Sequence, residues 1–182
     1  MNQNLQNSTS PNPLKFRLSF IALPLICLLV TVGLSAIFYS QLPDNVFYRF
    51  DLSGNPSGTA IAKASLVLMM VGIQALLTFI VYITTTTIGN VQTLRDNIDK
   101  FQFNPTRLLQ LMGNMPAIIQ IIVVYILVDA IFYAKQTDHL IPLWIVAVGT
   151  LVIGGIIVLA YGLPIAIKGY KSITGVEEKK KE

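Results

Sequence analysis

Four long apolar stretches constrain the fold of this chain more than any other feature. They cover about residues 18–39, 64–83, 115–134 and 141–167. An apolar stretch of about 20 residues can cross a bilayer as a helix, and inside the bilayer each helix satisfies its own backbone polar groups. The sequence therefore predicts an all-α integral membrane protein, an up-down bundle of four transmembrane helices over residues 18–168.

The composition agrees with a membrane protein. Hydrophobic residues make up 53% of the 182-residue chain and charged residues only 12%, whereas charged residues make up about 25% of a typical soluble domain. The first stretch is longer than the apolar region of a signal peptide, about 7 to 15 residues, so we expect a retained helix. The only cysteine, Cys27, lies inside it, which excludes an intrachain disulfide. We expect no cofactor and no metal.

The placement of lysine and arginine predicts the orientation of the helices. Ten of the thirteen Lys and Arg residues lie in the N-terminal tail, in the loop between the second and third stretches, or near the C-terminus. Basic residues concentrate on the cytoplasmic side, so both termini are expected there. We expect a disordered tail over residues 1–17, a basic tail over residues 169–182 that faces anionic lipid, and no nucleic-acid partner.

A short helix is predicted in the loop before the third stretch. Asn104 followed by Pro105 is typical of a helix N-cap and first turn. An apolar face follows, formed by Leu108, Leu109, Leu111 and Met112. The pattern predicts a short interfacial helix, with Met115 and Pro116 at the bend into the third span.

Polar and proline residues inside the spans predict local geometry. Pro24 in the first span predicts a kink, because proline removes one backbone donor and clashes with the preceding turn. Gln74 and Thr78 lie one turn apart in the second span. Polar side chains in hydrocarbon usually face another helix, so we expect both to point into the bundle.

Small residues in the fourth span predict close packing. Gly155 and Gly162 are seven residues apart, as are Ala147 and Gly154, so each pair shares a helix face. Small residues allow helix backbones to approach closely. We interpret them as a packing seam within the four-helix bundle, and a homo-oligomer seam is the alternative.

Asp129 lies inside the third apolar stretch, six residues before Lys135. A charged residue at the centre of a spanning helix costs about 2.5 to 3.5 kcal/mol on insertion scales, so the carboxylate is expected to face the bundle interior. Tyr125 and Tyr133 lie four residues on either side of it and share its face. Lys63, at the outer end of the second span, is a candidate ion partner. A proton- or cation-linked site and a structural hydrogen bond both stay open as interpretations.

The loop between the first two spans is rich in residues that set turns. It reads LPDNVFYRFDLSGNPSGTAIAK over residues 42–63. Pro43 ends the first helix and favours extended backbone at Leu42, and β-forming residues favour an extended segment over residues 45–50. Gly54 permits a turn with positive φ. We therefore expect a compact, structured loop on the outer side. Its charged residues are expected to face water or one another: Asp44, Arg49 and Asp51.

The loop also resembles part of a known family. Its pattern is Leu42, Pro43, Asp44, an extended hydrophobic pair, Phe50, Asp51, Gly54 and Pro56. This pattern resembles a bacterial membrane family, of the domain of unknown function 1648 type, that forms the N-terminal part of SdpI-type immunity and signalling proteins. The resemblance covers about residues 18–71. The family often has proline where this chain has Phe47 and histidine where it has Arg49, and arginine stays charged where histidine would titrate.

The resemblance implies a bacterial inner-membrane protein that displays a recognition loop on its outer side. The spans hold no paired catalytic residues, so we expect no enzymatic activity. The expected function is binding of a protein or peptide, such as a toxin or a membrane protein, in immunity or signalling. The expected partner-binding residues are Pro43, Asp44, Phe47, Tyr48, Arg49, Phe50, Asp51, Gly54 and Pro56. The aromatic residues among them would make the buried contact. The alternative is a small transporter or ion-coupled permease subunit that works through Asp129.

Overall fold

The computed structural model describes residues 15–51, 56–91, 105–136 and 141–174. Within these residues the chain is mostly helical, with one pair of very short strands. The elements in chain order are α1 (Ala22–Phe38), β1 (Asn45–Val46), β2 (Ile61–Ala62), α2 (Lys63–Gly89), α3 (Pro105–Asn114), α4 (Ala117–Gln136) and α5 (Leu143–Thr174). Short 3-10 turns precede and follow α1, at Leu18–Phe20 and Tyr39–Gln41.

Four helical segments are long and apolar enough to cross a membrane, which confirms the prediction of a multi-pass helical chain. They are Ala22–Gln41, Lys63–Gly89, Pro105–Lys135 and Leu143–Pro164. Most of the predicted N-terminal tail lies outside the described residues. Helix α5 continues to Thr174, into the predicted basic tail over residues 169–182, and the rest of that tail lies outside the described residues.

The predicted kink at Pro24 is wrong. The chain makes a 3-10 turn over Leu18–Phe20, and α1 begins only at Ala22. Pro24 is therefore the third residue of α1. Because the first four N–H groups of a helix have no acceptor within it, proline removes no hydrogen bond at that position.

The second and fifth helices extend beyond the predicted spans. The 27 residues of α2 correspond to about 40 Å of helix, which exceeds the hydrocarbon thickness of about 30 Å. The threonine run at residues 84–87 lies inside this helix, and the Thr85 hydroxyl donates to the Val81 carbonyl at 2.8 Å. Polar residues therefore occupy a helical turn that the hydropathy pattern places at the end of the span.

The break between α3 and α4 lies at Met115 and Pro116, where the sequence places the bend. Pro116 has no N–H to continue the helix, but its carbonyl accepts from Ile119 at 3.0 Å and from Gln120 at 3.1 Å, which starts α4. The N-cap proposed at Asn104 lies outside the described residues.

Two apolar clusters and a polar layer form the interior. The first cluster joins the loop after α1 to α2 and α4 and contains Leu42, Val46, Leu66, Met70, Leu127, Ala130 and Ile131. The second joins the start of α1 to α2 and α3 and contains Phe20, Ile21, Val81 and Leu109. Between them along α1, α2 and α4 lie buried polar side chains, including Thr31, Gln74, Thr78 and Gln120. The interior is therefore apolar at both ends and hydrogen-bonded in the middle.

The small residues of α5 face two directions. A Cβ on Gly154 would meet the Ile118 side chain at 2.5 Å, and one on Gly162 would meet Leu111 at 3.6 Å, whereas Gly155 has nothing within 4 Å. The prediction that Gly155 and Gly162 share one seam is thus wrong. Gly154 and Gly162, eight residues apart, are the ones that face the rest of the bundle.

Candidate functional site

The loop between α1 and α2 folds as a small hairpin. Strand β1 pairs with β2 in antiparallel register, Asn45 opposite Ala62 and Val46 opposite Ile61. Farther out, Ser57 donates to the Arg49 carbonyl at 2.8 Å, and Phe50 forms a bridge with Pro56. At the base of the loop Lys63 N–H donates to the Asp44 carbonyl at 3.0 Å. Backbone bonds therefore define the loop along most of its length.

The hairpin packs on the helices through apolar side chains. Leu42 and Val46 are buried in the first cluster, and Tyr48 packs against the same cluster. The ring of Phe50 lies 4.8 Å from the ring of Tyr133 in α4, with an interplanar angle of 57°. Such aromatic pairs contribute about 0.5 to 1.5 kcal/mol beyond their area. The loop is thus fixed to the end of the bundle.

Lys63 binds the base of the loop. Its Nζ lies 3.1 Å from Asp44 Oδ1 and 3.4 Å from the Leu42 carbonyl, and it stands 5.5 Å from the ring of Tyr39. The pairing of Lys63 with Asp129 that the sequence suggests stays a prediction. Because the Asp44 side chain is 93% exposed, the ion pair with Lys63 contributes less than about 1 kcal/mol.

The hairpin presents a mostly polar surface. Arg49 and Asp51 are exposed, as are Pro43, Asp44 and Pro56, whereas Phe47 is half-buried. Gly54, the predicted turn residue, lies outside the described residues. A positive φ of 97° occurs at Gly58, a conformation that favours glycine. The positive φ predicted at Gly54 stays a prediction, and Gly58 is a glycine with positive φ that the sequence analysis did not single out.

The intramembrane stripe of Tyr125, Asp129 and Tyr133 is held at both ends. Asp129 is 4% exposed, which agrees with the expectation that it faces the bundle interior. The Tyr125 hydroxyl donates to the Ile141 carbonyl and accepts from the Ile141 N–H at 3.0 Å, which fastens the start of α5 to α4. Tyr133 packs against Phe50 of the hairpin. Both tyrosines thus have structural contacts, and the stripe connects to the loop.

The structure reveals the helix partner that the sequence did not identify for Gln74 and Thr78. Gln74 Nε2 donates to the Gln120 carbonyl at 2.9 Å, and Gln120 Nε2 donates to the Gln74 carbonyl at 3.2 Å. Gln120 Nε2 also donates to Thr78 Oγ1 at 3.1 Å. The expectation that these polar residues point into the bundle is confirmed. A glutamine inside the apolar run IIQII was the signal that could have identified Gln120.

Asn114, the last residue of α3, binds the start of α1. Its Oδ1 accepts from the Leu23 N–H at 2.9 Å, one of the N–H groups that α1 leaves without an acceptor. Its Nδ2 donates to the carbonyls of Ser19 at 3.0 Å and Gln110 at 2.7 Å. Asn114 therefore acts as an N-cap supplied from a distant helix, which no local capping motif predicts.

We expect Asn114→Ala to lower the free energy of unfolding by about 1 to 2 kcal/mol, because it removes this cap. The measurement is chemical unfolding of the purified protein in detergent, followed by circular dichroism. Gln110→Ala is the matched control, because its side chain is exposed and its carbonyl remains. Equal unfolding of the two variants would contradict the capping role.

Comparisons with known proteins add no assignment. No family model, curated protein or solved structure matches the chain. Among the described residues, no group of three or more His, Cys, Asp and Glu side chains comes together as a metal site would require. The fold and composition define a multi-pass helical membrane protein, and the described part of the α1–α2 loop forms a hairpin that packs on its helices.

Proposed function

We propose that this chain is a non-enzymatic protein of the bacterial cytoplasmic membrane that binds a protein or peptide through the α1–α2 hairpin. In this proposal four helices cross the membrane up and down, both termini are cytoplasmic, and α3 lies at the cytoplasmic interface. The observation that supports it is the anchoring of the hairpin, through Phe50 on Tyr133 and Val46 in the first cluster. A preorganised surface loses little entropy on binding, which favours affinity.

The partner would contact the outer face of the hairpin. Tyr48 and Phe50 already pack against the protein's own helices, so in this proposal they hold the loop and do not supply the contact. The exposed Arg49 and Asp51 would instead orient the partner, since an arginine fork matches carboxylates in a fixed geometry. Phe47, half-buried, would add the apolar contact.

The resemblance of residues 18–71 to SdpI-type immunity proteins supports a partner that is a toxin, a peptide or another membrane protein. Binding of such a partner needs no cofactor and no catalytic residue.

We expect the Arg49→Ala/Asp51→Ala variant to lose partner binding at least tenfold, the loss of about 1.4 kcal/mol that hot-spot residues commonly exceed. A photo-crosslinker at the exposed Pro56 would identify the partner in native membranes, and the same probe at Leu151 on α5 would report background. The identified partner is then purified, and its direct binding to each variant is measured in nanodiscs.

Asp129→Asn is the matched control, because Asp129 is buried below the loop and Arg49 and Asp51 are unchanged. It should bind the partner as the unmodified chain does. Full binding by the double-alanine variant would contradict the proposal. If Asp129→Asn abolished the activity of the protein and the double-alanine variant did not, the transporter alternative would replace the partner-binding proposal.

A further inference from the structure

A cavity of about 350 Å³ lies at the junction of three parts of the chain. Leu23 of α1 lines one side, and Ile153 and Ile157 of α5 line the other. Leu111 of α3 and Ile118 of α4 form the wall around the break between those two helices. Its volume falls in the range of about 300 to 1,000 Å³ that is typical of ligand pockets. Helices α1 and α5 therefore leave a space between them over the α3–α4 break.

The walls of the cavity favour an apolar occupant. Among the described residues that line the cavity, only Asn114 and Thr150 carry a polar group. Both amide hydrogens of Asn114 are used, by the Ser19 and Gln110 carbonyls, and its oxygen accepts from Leu23. The side-chain amide of Asn114 is therefore bonded to the protein's own backbone. A hydrocarbon chain matches the remaining lining.

Exposed basic residues flank the turn and the helix that meet at one end of the cavity. Arg17 is exposed and lies two residues before Ser19, whose carbonyl binds the cavity-lining Asn114. Lys15 is exposed beside it in the sequence. On the other wall, Arg107 is exposed and precedes the lining residue Leu111 by one helical turn, so both project from the same face of α3. The charge at this end complements a phosphate group.

We propose that the cavity binds one anionic phospholipid, with an acyl chain between α1 and α5 and its headgroup at Lys15, Arg17 and Arg107. The apolar lining and the basic end together match the two parts of such a lipid. Each basic residue near a membrane surface raises the affinity for anionic lipid about fivefold. The site is separate from the hairpin and does not depend on partner binding.

The test uses the full chain in detergent, with native mass spectrometry to measure binding of dioleoyl phosphatidylglycerol and dioleoyl phosphatidylcholine. We expect one phosphatidylglycerol to bind at least fivefold more tightly than phosphatidylcholine. Lys15→Gln/Arg17→Gln should remove that preference, while Lys135→Gln, a basic residue on α4 far from the cavity, should keep it. Equal affinity for the two lipids would overturn the headgroup assignment.

A pair of phenylalanine variants tests the cavity itself. Thr150→Phe fills the cavity and should lower phosphatidylglycerol binding at least fivefold, whereas Val152→Phe, two residues away and 54% exposed, should not. If Thr150→Phe bound phosphatidylglycerol as tightly as the unmodified chain and gave the same circular dichroism spectrum as Val152→Phe, the acyl-chain site would be overturned. Dimers in place of lipid adducts in the unmodified chain would also overturn it, because a second copy would then occupy the groove.

Discussion

Replacing Gly113 with alanine is expected to lower the free energy of unfolding by about 2 to 3 kcal/mol or more, as overpacking of a tight core does. A Cβ at this position would lie 2.1 Å from the Phe20 carbonyl oxygen and 2.9 Å from Thr85 Cγ2. The nearer atom belongs to backbone, and the turn that carries it is bonded to Asn114 through Ser19. Relief of the clash therefore requires α3 to move away from α1.

The matched control is Gly72→Ala, inside α2, where a Cβ would meet nothing within 4 Å. Alanine is favoured over glycine in a helix by about 0.5 to 1 kcal/mol, so this variant should unfold at a higher denaturant concentration. Both are measured by chemical unfolding in the same detergent. If Gly113→Ala were as stable as Gly72→Ala, the close approach of α3 to α1 would be wrong.

Gly113 also illustrates which parts of the fold the sequence predicts. Apolar length gives the four spans, because a bilayer requires about 20 apolar residues in each crossing helix. The apolar residues between 108 and 112 predict a helix where α3 lies, because helical periodicity depends only on neighbouring residues. The contact of Gly113 with the turn before α1 joins residues 93 positions apart, and no local pattern reports it.

The same distinction holds for the candidate site. Turn-forming residues predict a structured loop, since proline and glycine act on their own backbone. The direction of the Phe50 side chain in that loop depends on a distant residue, because its ring packs against Tyr133 near the end of α4. Lys63 likewise lies within reach of either acid when only the sequence is considered. The structure assigns it to Asp44, whose backbone carbonyl already binds the Lys63 N–H.

Gln120→Ala is expected to lower the free energy of unfolding by about 3 kcal/mol, in the range for removal of a large buried side chain. Gln120 is fully buried, and its amide donates both to the Gln74 carbonyl and to Thr78 Oγ1. Thr78 in turn donates to the Gln74 carbonyl at 2.8 Å and lies 3.4 Å from the Pro24 carbonyl of α1. The glutamine therefore connects α4 to α2 and, through Thr78, to α1.

Two leucine variants separate the cavity from the hydrogen bonds. Gln120→Leu keeps most of the volume and loses two hydrogen bonds, whereas Gln74→Leu loses one. Hydrogen bonds between membrane helices contribute about 0.6 kcal/mol each on average, so we expect a cost of about 1 kcal/mol for Gln120→Leu and about half of that for Gln74→Leu. Chemical unfolding in detergent measures all three variants.

The order of the three losses in the free energy of unfolding shows whether side-chain volume or hydrogen bonds stabilise the middle of the bundle. If Gln120→Leu is as stable as the unmodified chain while Gln120→Ala is not, volume alone matters and the hydrogen bonds contribute nothing. If Gln74→Leu costs more than Gln120→Leu, the hydrogen-bond assignment is wrong. The expected order would instead show that hydrogen bonds in the polar layer link α1, α2 and α4 between the two apolar clusters. Apolar contacts have no preferred direction, so the clusters alone would not fix the position of one helix along another.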